Sequence, residues 1–381
     1  MNILFLTSLL VIFYSYLGYP ALLFLTSRFY HRQRFVDDQN RPCISMVISA
    51  FNEQETLPKK IENCHQLDYP NAKLEILIGS DGSDDKTDEI LNACEDNIIK
   101  PFIFKTRRGK ASVVNELVAR ARGTIIVFSD ANTIYDQNAL KHMMKHFTDK
   151  NVGGVCGRLC LTNPDQKSSG QGESLYWKYE TQIKKWEGYI RTVIGANGAI
   201  YAIRKNLYSP LSTRKILVDD FVISLKVVEA GYDVVFDNEA VAFETTSPRI
   251  RGEFRRKIRI GVSNFNSIAE LKSLLNPSRR FAAFGFWSHK IIRWFIPFFF
   301  LSAFISNLFL LDATQYKITM ALQIMFYLFA GLGCYLDMKT QCPKLLLIPY
   351  YLCAVNLGLL LGFFKFLRGS QKLTWGRVER I

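Results

Sequence analysis

Residues 44–53, which read ISMVISAFNE, decide the fold. Residues 44–50 are nearly all apolar and rich in β-branched side chains, which predicts a strand buried on both faces of a parallel sheet. Open α/β sheets bind ligands at the carboxyl ends of their strands. Ala50, Phe51 and Glu53 are therefore candidate ligand contacts, in which Phe51 edges a base and Glu53 accepts hydrogen bonds from ribose hydroxyls. A simple helix cap with Glu53 in the first turn is the alternative.

Strand and helix patterns alternate after this segment. Short apolar runs predict further strands, and amphipathic runs between them predict helices. The strands are at 74–78, 99–104 and 124–128, with helices at 85–93 and 111–121. Past residue 150 the pattern is mixed, with a strand at 152–159 and helices at about 171–190 and 220–230. This alternation predicts an α/β fold with an open, mostly parallel sheet.

Four other segments are apolar and almost uncharged. They are residues 3–27, 291–311, 318–336 and 345–364. At 1.5 Å per residue, each is long enough to cross a bilayer core of roughly 30 Å, which predicts four transmembrane spans. Burial in a soluble core suits runs of 10–14 residues better than runs of about 20. The first segment lacks preceding basic residues and a cleavage site, so we interpret it as a retained anchor and not as a signal peptide.

The basic residues near the spans bear on topology. Arg28, Arg32 and Arg34 follow the first span, which predicts that the next domain is cytoplasmic. Three later spans then place the tail outside, although Lys365 and Arg368 favour the inside. The sequence leaves this conflict open. We expect a multi-pass protein of the cell (inner) membrane.

The composition excludes some functions. Lys and Arg number 48 against 34 Asp and Glu, for a net charge of +14. The excess lies near the apolar segments, and no finger spacing or aromatic-basic motif accompanies it, so membrane lipids are the expected partner and nucleic acid is not. The eight cysteines include no Cys-x-x-Cys pair, which argues against a zinc ribbon or a thioredoxin-like site.

Two acidic motifs follow predicted strands. In the run GSDGSDD at 79–85, Asp81 can bond a base, although the run is also a common turn. Asn92 stands where a calcium loop requires glutamate. In the run FSDANT at 128–133, Asp130 and Asn132 offer two oxygens that suit Mg²⁺ or Mn²⁺ on a diphosphate, and a plain turn is the alternative.

A third acidic motif opens a predicted helix. Asp219 and Asp220 stand side by side in the run LVDDF at 217–221. Adjacent carboxylates at a helix start are favoured by the macrodipole, which is the structural explanation. The functional interpretation is that one of them is a general base for an acceptor hydroxyl.

Together these motifs resemble the family 2 glycosyltransferases, in particular their membrane-integrated, polysaccharide-synthase-like branch. The resemblance covers about residues 40–270 by motif and the flanking spans by layout. It implies a GT-A domain, which is the Rossmann-like nucleotide-diphospho-sugar transferase fold, and an inverting mechanism with a nucleotide sugar, commonly a UDP-sugar. Carried over, Asp81 contacts uracil, Asp130 is the first metal ligand and Asp220 is the base.

Weaker matches extend the resemblance. Lys110 falls at a family position near the nucleotide, and Arg259 at a pyrophosphate contact. Asn197 and Gly198 resemble the loop between donor and acceptor, although an Asn-Gly hairpin turn explains them equally well. Two positions depart from the family pattern: Asn132 replaces the second aspartate of Asp-x-Asp, and Ile260 replaces the tryptophan of processive synthases. A weaker metal site and doubtful processivity are therefore expected.

The predicted organisation is an anchor at 1–29, a GT-A domain at 41–248, a basic amphipathic interfacial segment at 249–290, three spans at 291–366 and a basic tail at 367–381. We expect transfer of a sugar to a lipid-linked or polysaccharide acceptor. The alternatives are a processive synthase and, more distantly, a non-catalytic scaffold or transporter. The donor sugar, the acceptor and any polysaccharide-assembly partners are not specified by the sequence.

Overall fold

The computed structural model describes residues 1–94, 97–162, 168–245, 250–339 and 342–369. The strands are β1 Ile44–Ala50, β2 Leu74–Asp81, β3 Ile99–Phe104, β4 Ile125–Asp130, β5 Ile134–Tyr135, β6 Val152–Thr162, β7 Tyr201–Arg204 and β8 Asp233–Thr245. The helices are α1 Asn2–Phe13, α2 Tyr19–Phe29, α3 Leu57–His65, α4 Thr87–Asn92, α5 Lys110–Arg120, α6 Ala139–Met144, α7 Ser168–Ile190, α8 Asp219–Glu229, α9 Ile250–Glu270, α10 Phe281–Gly285, α11 Ile292–Leu308, α12 Thr314–Lys339 and α13 Lys344–Leu367. Two π-helical turns, Tyr14–Gly18 and Phe286–Ile291, join α1 to α2 and α10 to α11.

Within the described residues, eight strands form one sheet in the order β3-β2-β1-β4-β7-β6-β8-β5. The first four strands in this order, β3, β2, β1 and β4, are parallel to one another. Strand β7 is antiparallel to both β4 and β6, whereas β6 and β8 are parallel and β5 is antiparallel to β8. The predicted α/β fold is confirmed. The sheet is mixed because β7 lies between β4 and β6 and runs in the opposite direction to both.

The strand register brings the sequence motifs together. Ala50 at the end of β1 pairs with Ser80 of β2, and Ser49 pairs with Asp130 at the end of β4. Since parallel strands end at the same edge of a sheet, the loops after β1, β2 and β4 share that edge. The sequence places a polar motif in each of these loops.

The sheet is buried on both faces. Along β1, Met46 and Ile48 pack into one apolar cluster with α3 and α6, and Val47 packs into a second cluster with α5 and α8. A strand covered by helices on both faces carries apolar residues at every position. This explains why β1 is apolar at every position except Ser45 and Ser49.

Four helical segments in the described part of the chain are long and apolar enough to cross a membrane. They are Asn2–Phe29, Phe281–Leu308, Thr314–Lys339 and Lys344–Leu367. These helices indicate membrane association, and their number agrees with the four predicted spans. The second segment begins before the predicted position 291, because α10 and the π-helical turn continue into α11. Phe286 in that turn is fully buried, and it belongs to the same apolar cluster as the buried residues of α8.

The first helix of the predicted basic segment packs on the last apolar helix. A Cβ added to Gly362 of α13 would lie 2.8 Å from the Ile258 carbonyl oxygen of α9 and 2.9 Å from the Gly261 Cα. The two backbones therefore touch directly, as small residues allow between apolar helices. Arg249, the first residue of the predicted basic segment, lies outside the described residues, as does the tail from residue 370.

Candidate active site

Lys110 joins two of the predicted motifs. Its ammonium lies 2.8 Å from Asp130 Oδ1, at the end of β4, and 2.9 Å from Asp219 Oδ2, at the start of α8. Burial alone lowers the pKa of Lys110, but Asp130 and Asp219 raise it above its ordinary value. Lys110 is therefore a fixed positive charge between two carboxylates. A cleft lined by Gly109, Lys110, Leu217 and Asp219 opens beside this cluster.

Asp81 holds the backbone that carries Lys110. Its two carboxylate oxygens accept hydrogen bonds from the backbone N–H groups of Arg108, at 2.7 Å, and Gly109, at 2.8 Å. Gly109 has a φ of 87°, a conformation that side-chain-bearing residues rarely adopt, and it immediately precedes α5. Asp81 is thus buried and doubly bonded within the protein. Its contact with a base stays a prediction.

Asp219 and Asp220 open α8, where the helix macrodipole favours negative charge. Burial, followed by the charge of Asp219, raises the pKa of Asp220 to about 7, and Lys110 and Lys184 oppose this rise. A carboxylate that titrates near neutral pH is suited to accept a proton from a hydroxyl group. The geometry thus separates the two acids, because Asp219 pairs with Lys110 and Asp220 does not.

Asn197 and Gly198 lie against Asp220. The Asn197 side chain is buried; its Nδ2 donates to the Gly157 carbonyl at 2.8 Å, and its Oδ1 accepts from Lys184. A Cβ added to Gly198 would lie 3.0 Å from Asp220 Oδ2. Only glycine lets the chain approach the carboxylate so closely. The loop therefore forms one wall around Asp220, and its contact with a donor or an acceptor stays a prediction.

The loop after β1 is held to its neighbours. The Arg107 guanidinium stacks on the Phe51 ring, 3.6 Å from its centroid. The backbone N–H of Glu53 donates to Thr87 at 2.8 Å, and its carboxylate accepts from the Thr56 hydroxyl. Ala50 is buried at the strand end. These residues border the same sheet edge as Asp81, and their contacts with a nucleoside stay predictions.

The predicted metal ligands lie at that edge. Asn132 approaches Glu244 of β8, with 3.4 Å between Asn132 Nδ2 and Glu244 Oε1. Glu244, which no sequence motif marks, is distant in sequence but buried beside the loop that follows β4. Carboxylate and amide oxygens suit Mg²⁺ or Mn²⁺. Asp130, Asn132 and Glu244 bring three oxygen-bearing side chains to this edge, so the donor set fits a divalent ion.

A separate cluster lies away from these residues. One ligand atom each from His142, Asp237 and Glu239 falls within 4.8 Å of the others. The Lys145 ammonium already lies 3.2 Å from Asp237 and 3.0 Å from Glu239. We interpret this group as a structural ion-pair cluster, because a cation of the protein itself balances the carboxylates.

Lys60 is a residue that sequence reasoning missed. It is fully buried and donates to the Ser129 hydroxyl at 2.8 Å and to the Thr133 carbonyl at 2.6 Å. Burial lowers its pKa to about 8, which Asp130 partly opposes. Lys60 thus fixes both ends of the turn that carries Asp130 and Asn132.

Tyr201 was also missed. It stacks on Phe128, with 4.6 Å between ring centroids, and its buried hydroxyl has no hydrogen-bond partner among the described residues. Burial, followed by Asp219 and Asp220, raises the pKa of Tyr201 well above its ordinary value. The phenol therefore stays protonated beside the acidic cluster.

Arg259 of α9 and Trp186 of α7 lie towards the apolar helices. Arg259 is partly buried on α9, and its contact with a pyrophosphate stays a prediction. Trp186 of α7 contacts Phe24 of the first apolar helix edge to face, at 5.6 Å. Trp177 lies nearer the loop around Asn197, since Lys184 Nζ is 6.0 Å from the centroid of its ring.

Comparison with known proteins identifies the domain. Residues 45–205 match the family described as "Glycosyl transferase family 2". The chain carries a family 2 glycosyltransferase domain. The matched segment runs from β1 into the residues just after β7, so it contains Asp81, Lys110 and Asp130 but ends before Asp220.

Two curated relatives of this glycosyltransferase domain are bacterial. A probable glycosyltransferase, YdaM, of Bacillus subtilis is 26% identical over 215 residues, which are 53% of this chain and 50% of YdaM. The poly-beta-1,6-N-acetyl-D-glucosamine synthase of Staphylococcus aureus is 27% identical over 225 residues, which are 57% of this chain and 53% of the synthase. The chain thus spans about half the length of these relatives.

A solved structure resembles nearly the whole chain. The mannosyltransferase PcManGT from Pyrobaculum calidifontis, in complex with GDP-Man and Mn²⁺, superposes with a TM-score of 0.72 at 18% identity. The alignment covers 97% of this chain and 100% of that structure. The similarity is one of fold: a GT-A-like mixed sheet with its helices, accompanied by apolar helices at both ends of this chain.

Proposed function

We propose that this protein is an inverting glycosyltransferase that moves a sugar from a nucleotide sugar, commonly a UDP-sugar, to a lipid-linked or polysaccharide acceptor. The observation that carries the proposal is the cluster in which Lys110 joins Asp130 and Asp219 while Asp220, with a pKa of about 7, is left to act as a base. The matched family and the named relatives support the reaction class.

The donor would lie along the strand ends. Ala50, Phe51, Glu53 and Asp81 border the nucleoside in this proposal, with Asp81 acting partly through the Arg108–Gly109 backbone that it holds. Lys110 contributes positive charge near the diphosphate. We assign the same role to Arg259 of α9. Positive groups at the leaving diphosphate lower the barrier to its departure.

Asp130 and Asn132 would hold Mg²⁺ or Mn²⁺, with Asp219 and Glu244 close by. The ion supplies charge stabilisation of the leaving diphosphate. PcManGT was solved with Mn²⁺ and GDP-Man, which supports a divalent ion and leaves both cations and more than one nucleotide to be tested here. Lys60 keeps the ligand turn in place through Ser129 and Thr133.

Asp220 is the base in this proposal. It takes the proton of an acceptor hydroxyl, the hydroxyl oxygen forms a bond to the anomeric carbon, and the bond from that carbon to the diphosphate oxygen breaks. Attack from the face opposite the diphosphate inverts the configuration. Gly198 leaves room for the acceptor beside the carboxylate, because it adds no side chain there.

We place the reaction at the cytoplasmic face of the cell (inner) membrane, in cell-envelope or exopolysaccharide biosynthesis. The four apolar segments support a membrane location. The basic residues at and after the end of the first segment, Asn2–Phe29, favour the cytoplasmic side. A processive polysaccharide synthase is the second candidate, favoured by the similarity to the Staphylococcus aureus synthase. Product length, measured by mass spectrometry, distinguishes single transfer from polymerisation.

The test uses the full-length protein in nanodiscs with a panel of UDP- and GDP-sugars. We expect nucleotide release that EDTA abolishes and that Mn²⁺ or Mg²⁺ restores. Asp220→Asn should retain nucleotide binding and lose at least about 100-fold in turnover, because a positioned base contributes roughly that much. The matched control is Asp38→Asn, an exposed linker carboxylate. Normal turnover in Asp220→Asn contradicts the assignment.

A further inference from the structure

One buried carboxylate joins the loop beside the candidate base to two of the apolar segments. Glu187 lies in the last turn of α7 and is inaccessible to solvent. Its Oε2 accepts a hydrogen bond from the backbone N–H of Ile194 at 2.9 Å. Its Oε1 accepts from the Tyr19 hydroxyl at 2.8 Å and lies 2.7 Å from His289 Nδ1. Tyr19 belongs to the first apolar segment and His289 to the second.

The loop that Glu187 holds ends against the candidate base. Ile194, whose N–H it accepts, is followed by Gly195, where an added Cβ would lie 2.7 Å from a ring carbon of Phe221. The loop therefore runs close to the start of α8. At residue 198 it reaches the Asp220 carboxylate, which an added Cβ would approach to 3.0 Å. Glu187 thus fixes the beginning of a short loop whose end is a wall of the site.

One turn of the second apolar segment contacts both Glu187 and the start of α8. Phe286 and His289 lie in the same π-helical turn. Phe286 stacks on Phe221, the residue after Asp220, with 6.2 Å between ring centroids. Ring packing tolerates small displacements, whereas a hydrogen bond fixes both the distance and the direction between its atoms. We therefore assign control of the loop position to the hydrogen bonds of Glu187.

Glu187 is ionised in this arrangement. Although burial raises the pKa of Glu187, His289 and the Ile194 N–H hold it below its ordinary value. An ionised carboxylate is an acceptor only, so His289 carries a proton on Nδ1 where it faces Glu187. Hydrogen bonds to a charged acceptor are roughly twice as strong as those between neutral groups. The loop is therefore held by a strong bond that a neutral apolar side chain could not replace.

We propose that Glu187 is a positioning residue for the transfer reaction, which holds the loop 194–198 in place beside Asp220. The inference rests on the proposed transfer function and on Asp220 as its base. Among the described residues, the hydrogen-bond partners of Glu187 lie outside the Lys110 cluster and outside the strand ends assigned to the donor. A displacement of about 1 Å near the reacting groups can cost about 100-fold in rate. Loss of the Glu187 bonds should therefore lower kcat and leave donor binding unchanged.

The test measures kcat, KM for the most active UDP- or GDP-sugar, UDP affinity and melting temperature on the full-length protein in nanodiscs. Glu187→Leu removes every acceptor, so kcat should fall at least about tenfold while KM and UDP affinity stay within about twofold. Glu187→Gln should keep most of kcat, because its amide oxygen still accepts from the Ile194 N–H and its NH₂ group donates towards Tyr19 and His289. If Glu187→Leu does not fold, Glu187→Asp takes its place, because it withdraws the carboxylate by one methylene and keeps the charge.

Tyr19→Phe is the matched control. It removes one hydrogen bond of Glu187 and leaves the bond to the loop. It should lower the melting temperature and keep kcat within about twofold of the wild type. If Tyr19→Phe and Glu187→Leu lose kcat in proportion to their melting temperatures, turnover follows general stability and the proposal is overturned. Unchanged kcat in Glu187→Leu overturns it as well.

Hydrogen–deuterium exchange of peptides that cover residues 194–198 provides a measurement independent of turnover. Exchange in this loop should be at least about tenfold faster in Glu187→Leu than in the wild type, and unchanged in Tyr19→Phe, because only the first variant frees the Ile194 N–H. Failure of the wild type to release nucleotide from any sugar refutes the proposed reaction, and the exchange data still show whether Glu187 holds the loop. Normal release with unchanged kcat and exchange in Glu187→Leu refutes the positioning role alone.

Discussion

Replacing Asp220 by asparagine is expected to stabilise the protein at pH 8 while it abolishes transfer. The folded protein raises the pKa of Asp220 from 3.8 to about 7, so the folded state binds this proton more tightly than the unfolded chain does. The stability that this acid contributes is fully present below pH 3.8 and is lost as the pH rises through about 7. An asparagine never ionises, so the variant keeps that stability.

The size of the effect follows from the pKa difference. About three pH units, at ~1.4 kcal/mol each, set an upper limit of about 4 kcal/mol at pH 8. Asp220 is partly exposed, and solvent screening reduces this to roughly 1–3 kcal/mol. For a domain of this size, 1 kcal/mol corresponds to about 2–4 °C in melting temperature. The variant should thus melt several degrees above the wild type at pH 8, with a smaller difference at pH 5.

Thermal unfolding followed by intrinsic fluorescence, in nanodiscs with EDTA at pH 5 and pH 8, measures this difference. EDTA removes any contribution from bound cations. Asp38→Asn should change neither melting temperature. If Asp220→Asn melts no higher than the wild type at pH 8, or gains equally at both pH values, the raised pKa is refuted. In activity, kcat/KM should rise with pH up to about 7, and Asp219→Asn should move that midpoint down because a like charge is removed.

Three further substitutions test the packing around the site. Gly198→Ala puts a Cβ 3.0 Å from the Asp220 carboxylate, so turnover should fall at least about tenfold with UDP affinity, measured by calorimetry, unchanged. Lys60→Met leaves the Thr133 carbonyl without its donor and should cost about 1–3 kcal/mol, seen as a lower melting temperature; an unchanged melting temperature contradicts that role. Gly362→Ala puts a Cβ 2.8 Å from a carbonyl oxygen of α9 and should cost about 1–3 kcal/mol in the same assay, whereas Gly331→Ala, with open space around it, should not.

The strand framework could be predicted because its signals are local. The predicted runs 44–50 and 99–104 coincide with β1 and β3, since a short, mainly apolar and β-branched or aromatic run between polar loops indicates a strand. The meeting of Ala50, Asp81 and Asp130 at one edge followed from the direction of the strands alone. The mixed half of the sheet could not be predicted so well, because the position of β7 between β4 and β6 depends on long-range pairing.

The supporting residues gave no local signal. Lys59 and Lys60 are adjacent on α3, yet Lys59 is exposed and Lys60 is fully buried under a turn about 70 residues away in the chain. The partners of Lys184 and His289 are likewise set by tertiary contacts. Hydropathy placed the start of the second span at 291 because His289 and Lys290 directly precede that position. The helical segment nevertheless begins at Phe281, and glutamates of α7 lie against both of these side chains inside the protein.

Helix α7 has a consequence for how the protein folds and can be handled. Near its start Glu173 pairs with Arg256 of α9 at 2.9 Å, and near its end Glu187 bonds Tyr19 of the first apolar helix. A fragment cut at residues 41–248 would keep these glutamates and lose Arg256 and Tyr19, so that Glu187 would retain only the Ile194 backbone N–H among its named partners. We therefore expect the catalytic sheet and the apolar helices to unfold together. The sequence boundary at 248 separates two compositions, and a fragment cut there is expected to be less stable than the whole chain.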